Sequence, residues 1–236
     1  MQHLLVLFIC LFLFLRVTPA LGQCEAAVEH AVALPGATEL EQLTRDYGRY
    51  KTIPIQDRVA ILLALSHFPE LRATRIRFRV RHVHGPLTTN RDWSDYLRHF
   101  GFGTRAFMIT ISDSTESRLM PILLGRMDLN AQVGVLGHEL SHVSDFSHRH
   151  LFGWLRLGIG HLSMRFVDRM EFATDSLCIA HGLGYQLLAW SCFVRQALGI
   201  PKYGGSGHPD MPKDRERYME PKTILTRLNA KDPVVR

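Results

Sequence analysis

The sequence predicts an α+β protein, mostly helical, with a small sheet over one buried helix that can bind a metal ion. Three observations predict it. Apolar residues recur at helical spacing over much of the chain, two short stretches read as strands, and an apolar segment contains His138-Glu139-Leu140-Ser141-His142. With 236 residues and 46% hydrophobic composition, the chain is long enough for one good core and short for two.

Residues 4–15 form a 12-residue apolar run. Ala20 and Gly22 follow as small residues, which reads as a signal peptide over residues 1–22, cut after one or the other. A membrane anchor through residues 4–22 is the rival reading, although the run is short for a span and Arg16 closes it. Residues 23–236 read as a single domain, with a helical N-terminal part over 23–72 and a catalytic part over 73–236. Helices are expected over 23–34 and 37–50, split by Pro35-Gly36. A third covers 56–68, where Val59, Ile61, Leu62, Leu63 and Leu65 give a broad apolar surface that implies burial.

In 75–81 arginine alternates with Ile76, Phe78 and Val80, the pattern of a half-buried strand with four Arg outward. That face is a solvated sheet surface or, functionally, an anion or membrane-phosphate patch. A short helix is expected over 93–100, a loop over 101–103, a second strand over 105–112 and a further short strand over 120–124. Residues 151–167 mix Leu, Phe and Trp with Arg156, His161 and Arg165. They read as a helix returning the chain toward residue 171, or as an amphipathic segment lying on a membrane. Helices near 168–182 and 185–198, a Gly- and Pro-rich loop over 199–217 and a last helix over 220–229 complete the chain. Past residue 22 the cysteines are Cys24, Cys178 and Cys192, with no C-x-x-C pair to suggest a thiolate metal site. A helical hairpin turning near Gly182 and Gly184 would bring Cys178 and Cys192 together, so a disulfide between them is one expectation and two buried thiols the other.

The segment His138-Glu139-Leu140-Ser141-His142 reads H-E-x-x-H. Residues four apart share a helix face, so His138 and His142 can hold one ion between them. Glu139, beside the first His, can then take a proton from a water that the ion polarises. Val133, Val135, Leu136, Leu140 and Val143 make the segment a buried helix, and Asn130 is a fair N-cap. Gly134 and Gly137, poor helix formers in its middle, imply a close backbone neighbour.

A catalytic zinc takes three protein ligands and leaves a fourth position for water. Glu171 and Asp175 lie four apart on another helical face. Asp145, seven residues after His138, also returns to the metal face. His148 completes H-E-x-x-H-x-x-D-x-x-H, similar to the metzincin motif, but Asp145 stands where that motif has a helix-ending Gly. A helix continuing through Phe146 carries His148 about 240° away from His142.

H-E-x-x-H followed some tens of residues later by Glu171-Phe172-Ala173-Thr174-Asp175 resembles the gluzincin, or thermolysin-type, metallopeptidases. With Ala180 and Gly184-Tyr185 it looks most like the group related to the heat-shock and prenyl-protein membrane endopeptidases, and His208-Pro209 is similar to a pair near the end of those chains. The resemblance spans roughly residues 105–210. It implies a zincin-like fold, Glu171 as third ligand and Asp175 hydrogen-bonding the His138 ring. It also implies an edge strand at 105–112 that pairs with an extended substrate, and an oxyanion donor among Tyr185, Tyr203, His208 and Tyr218. This chain lacks that group's long membrane spans, so their substrates do not carry over.

The expected activity is that of an exported zinc-dependent metallopeptidase with one Zn2+ per chain, Glu139 as general base and a peptide or protein substrate. A zinc amidase acting on other material, or a zincin-like module without turnover, are the alternatives. The formal charge of +6, or +5 once residues 1–22 and their single Arg are gone, suits a protein working near anionic surfaces and gives no case for nucleic acid.

Overall fold

A computed structural model of the chain describes residues 19–92, 106–148, 160, 163–200 and 216–231. Among them are seven α-helices and a four-stranded sheet, an α+β architecture that is mostly helical. The expected helix at 93–100, the loop at 101–103 and nearly all of 151–162 lie outside the described residues.

Helix α1 (Pro19–Glu29) and α2 (Ala37–Tyr47) sit either side of Pro35-Gly36. A two-residue strand β1 (Lys51–Thr52) and a 3-10 turn (Ile55–Asp57) lead into α3 (Arg58–Ser66), where Ala60, Ile61, Leu62, Ala64 and Leu65 are buried and no residue is fully exposed. Strand β2 (Arg75–Val80) shows the expected alternation: Ile76 and Phe78 are buried, while Arg75 and Arg79 are exposed. Strands β3 (Leu87–Arg91) and β4 (Ala106–Ile111) complete a sheet of order β1-β2-β4-β3. β1, β2 and β4 are mutually parallel; β3 runs antiparallel to β4, with Thr89 opposite Ile109. The pairing of β1 with β2 carries the sheet across the expected boundary at residue 72.

Two strand expectations need correction. The strand at 105–112 is central, bonded to β2 on one side and β3 on the other, so among the described residues the terminal strand on that side is β3. The expected strand at 120–124 is a pair of 3-10 turns, Met120–Ile122 and Leu124–Arg126. Pro121 cannot donate to a strand ladder and favours such a turn.

Helix α4 (Leu129–His148) carries the H-E-x-x-H segment and is flanked by α3, α5 (Met164–Ala180), α6 (Gly184–Leu198) and β3. Its cap is Asp128, whose carboxylate accepts the Ala131 N–H at 2.9 Å. Asn130 lies inside the first turn. Its amide donates to Ala27 O at 2.8 Å and accepts from Val32 N and the Gln186 amide, tying α1, α4 and α6 together. Gly134 has the expected close neighbour: a Cβ there would lie 2.0 Å from the Gln186 carbonyl oxygen, so α4 and α6 touch backbone to backbone. Helix α7 (Pro221–Lys231) closes the described chain. Buried apolar side chains from α1 to α7 and the inner sheet face form one cluster.

The expected Cys178–Cys192 disulfide is absent. Cys192 on α6 is bonded to Cys24 on α1, and Cys178 is a fully buried thiol. The reason is helix phase. Cys178 faces α4, where its sulfur would be 3.2 Å from a Cβ at Gly137, whereas Cys192 points to the side of α6 that α1 covers. Burial, together with the nearby Asp175 charge, pushes the Cys178 thiol well above its usual range.

Candidate metal centre

His138 and His142 lie one turn apart on the buried face of α4, 2% and 7% exposed. Helix α5 crosses beside them and brings Glu171, Thr174 and Asp175 to the same place. Glu171 Oε2 stands 3.1 Å from His138 Nε2 and 3.3 Å from His142 Nε2. The far nitrogen of each ring is also held. Asp175 Oδ1 accepts from His138 Nδ1 at 2.7 Å, and Thr174 Oγ1, whose own proton goes to Met170 O, accepts from His142 Nδ1 at 3.2 Å. With both Nδ1 atoms carrying protons, both Nε2 atoms face Glu171.

This donor set fits a small divalent cation. Among the described residues, His138, His142 and Glu171 are the group of His, Cys, Asp and Glu whose ligand atoms come together, within 4.8 Å of one another. Ligand atoms about 2.0–2.1 Å from a tetrahedral ion are about 3.3 Å apart, close to the 3.1 and 3.3 Å between Glu171 Oε2 and the two ring nitrogens. The local field favours positive charge. Burial disfavours a charged His138, but the hydrogen bonds and charges of Asp175 and Glu171 outweigh it and raise its pKa well above the ordinary value. Burial likewise pushes the Glu171 carboxyl up, yet the two rings hold it below the usual carboxylate range. A proton on Nε2 bridges to Glu171; a cation in the same place gains three ligands.

The rival third ligands lie elsewhere. α4 runs straight on through Phe146, so His148 turns away and its Nδ1 lies 2.8 Å from Ser144 O. Asp145 lines a separate hollow with Arg169 and Phe166.

Glu139 is buried beside the cluster, 8% exposed, and points toward the sheet. The Thr89 hydroxyl on β3 donates to its Oε2 at 2.5 Å. A cavity of ≈ 200 Å³ opens next to His138 and Glu139, with walls that are mostly apolar, among them Leu87, Ile122, Leu187 and Trp190. Of the four oxyanion candidates, Tyr218 lines this cavity, its ring 5.7 Å from that of His138. Tyr185 is not part of that lining; it stacks on His30 at 3.7 Å, on the α1 side of α6. Tyr203 and His208 lie outside the described residues.

Sequence reasoning did not single out Thr174 or Thr89. Thr174 was within reach, because it lies three residues after Glu171 on the same helix as Asp175. Thr89 gave no local signal; it matters only because β3 pairs with β4 and passes over α4. A third unread contact is Asp175 Oδ2, which accepts the Met219 N–H at 2.7 Å and so links the His138 ring to the segment carrying Tyr218.

Comparison with protein-family models, with curated proteins and with solved structures gave no significant match.

Proposed function

We propose that the protein is an exported zinc-dependent metallopeptidase with a zincin-like fold of the gluzincin kind. The observation that carries this reading is the grouping of His138 Nε2, His142 Nε2 and Glu171 Oε2 within 4.8 Å of one another, with a second carboxylate, Glu139, alongside in the lining of a cavity. Zinc held by these three ligands would supply Lewis acidity, lowering the pKa of a water and polarising a carbonyl.

The chain's own groups then divide the remaining work. Glu139 takes the proton of the attacking water and delivers it to the leaving amine. Asp175 and Thr174 keep the two rings in the Nδ1–H tautomer, so that both Nε2 atoms remain ligands. Tyr218, at the cavity beside His138, is placed to donate to the developing oxyanion. The outer edge of β3 is where an extended peptide would add as a further strand. Apolar cavity walls suit a hydrophobic side chain better than a sugar, which favours peptides over cell-wall amides. Support for export comes from the Cys24–Cys192 bond, since disulfides persist in oxidising compartments.

Metal analysis of the purified protein should find one zinc per chain, and a peptide-library digest should show cleavage. Glu139→Gln should keep fold and zinc and lose turnover by about 100-fold or more, the usual range for a general base. Undiminished cleavage by that variant would remove Glu139 from its role. Zinc bound without cleavage of any peptide would favour the module without turnover.

A further inference from the structure

The edge strand does more than border the cavity. Along β3, Leu87 and Thr89 lie two apart and so share one face. Leu87 reaches the cavity wall, and Thr89 reaches the helix carrying the two histidines. Among the described residues the Thr89 hydroxyl is the hydrogen-bond partner of the Glu139 carboxylate, 2.5 Å from Oε2, with the Glu139 backbone carbonyl 3.3 Å away. A hydroxyl has one proton, and the shorter contact takes it. Oε2 thereby accepts a bond, while Oε1 accepts none among the described residues and is the freer oxygen for an incoming proton.

We propose that Thr89 is a positioning residue for Glu139, fixing which carboxylate oxygen works and where it stands; the proposal rests on the hydrolase reading of the site. Three observations argue for positioning over plain satisfaction of a buried carboxylate. Glu139 is a flexible side chain against apolar walls, so a single directed donor selects its rotamer. The donor sits on a β-branched residue, whose stiff χ1 fixes the hydroxyl relative to the strand. Among the described residues that strand is the terminal one of the sheet, so the placement of the base is tied to the strand a peptide would join. Misplacing a reacting group by about 1 Å can cost about 100-fold. The expected signature is therefore a fall in kcat and not in substrate affinity.

The test uses the full mature chain loaded with Co2+, whose visible absorption reports on the ligand sphere. Acetohydroxamate is the probe, because its proton must be accepted by a nearby carboxylate as it binds the ion. Thr89→Val should weaken acetohydroxamate by about tenfold, the lower end for partners that orient a working group at a metal site. Thr89→Ser should recover most of the loss, with metal content and thermal midpoint equal across the set. Thr89→Ala repeats the measurement without the extra methyl, should valine push Glu139 aside. On a cleaved peptide, kcat of Thr89→Val should fall about tenfold with KM held within about twofold.

Thr89→Val matching the wild type while Glu139→Gln loses probe affinity would overturn the proposal and leave the hydrolase reading standing. Thr89→Ser failing as badly as Thr89→Val would also overturn it, since packing and not the hydrogen bond would then be at work. A wild-type chain that takes up no Co2+, or a Glu139→Gln variant unchanged in both readouts, would bring down the hydrolase reading and Thr89's role with it.

Discussion

Each imidazole at the centre has its Nδ1 tied to Asp175 or Thr174 and its Nε2 facing Glu171, the division of labour that the proposed ligand set requires. Removing a tie should loosen the ion without removing a ligand. Asp175→Ala should speed zinc loss to a chelator by about 10–100-fold, and Thr174→Val by about tenfold, the range measured for partners of metal-bound histidines. Asp175→Ala also strips the Met219 N–H of its acceptor, so its effect should be the larger. Off-rates equal to wild type for both would make these contacts incidental. Glu171→Ala should lose most of the bound zinc and His148→Ala none, which metal analysis of the two variants decides. The residues within one helix were legible in the sequence, because four-residue spacing is local information. That α5 would cross α4 where Glu171 reaches both rings came only from the resemblance.

Elements were read better than their arrangement. The alternation in β2 and the apolar faces of α3 and α4 are periodic and survive without neighbours. Whether β4 is central or at the edge is a property of long-range pairing; the available hint was its nearly continuous apolar run, Ala-Phe-Met-Ile-Thr-Ile, the composition of a strand covered on both faces. β3, written Leu-Thr-Thr-Asn-Arg, has no apolar alternation and gave nothing to find. The contact of α4 with α6 is where an element-scale substitution should tell most. Gly134→Ala drives a methyl into the Gln186 peptide group and should cost about 3 kcal/mol, while Gly125→Ala, with nothing within 4 Å, should cost little. Urea titration of both gives the comparison; equal midpoints would mean that α6 can slide away freely.

Another element-scale link is Lys51. From β1 its ammonium donates to the carbonyls of Leu71, Arg72 and Thr74, clamping the turn that feeds β2. Burial lowers its pKa from 10.5 to about 8. Below about pH 8 the folded chain carries a charge it holds less readily than the unfolded chain does. Between about 8 and 10.5 the unfolded chain binds more protons, so this group's contribution to stability rises with pH across that window. The stability difference between wild type and Lys51→Met should therefore move in favour of wild type from pH 8 to 10.5. A flat difference would show that the three carbonyls keep the ammonium charged throughout.

At the scale of the whole molecule, the Cys24–Cys192 bond joins positions 168 residues apart and fixes α1 against α6, the helix that forms one wall of the cavity through Leu187 and Trp190. Its pairing was beyond the sequence, because three cysteines allow three pairings and helix phase across α5 and α6 chooses among them. Tying so long a loop restricts the unfolded chain strongly, and losing a native disulfide costs about 2–5 kcal/mol. For a chain of this size that is a drop of about 5–15 °C in thermal midpoint on reduction. Cys192→Ser should match the reduced wild type, and Cys178→Ser should keep the full response to reductant. The second anchor, Asn130 on the Ala27 carbonyl of α1 and Gln186 on the His30 carbonyl just after it, should keep the reduced protein folded. Cleavage after Ala20 or Gly22 would leave Cys24 within a few residues of the new N-terminus, so that the disulfide staples the start of the mature chain. Mass spectrometry of the exported protein should then find an N-terminus at residue 21 or 23 and, without reductant, a peptide pair holding Cys24 and Cys192. An intact Met1 in carbonate-washed membranes would replace this picture with a chain anchored through residues 4–22. Free thiols at both positions would remove the support that the disulfide lends to export.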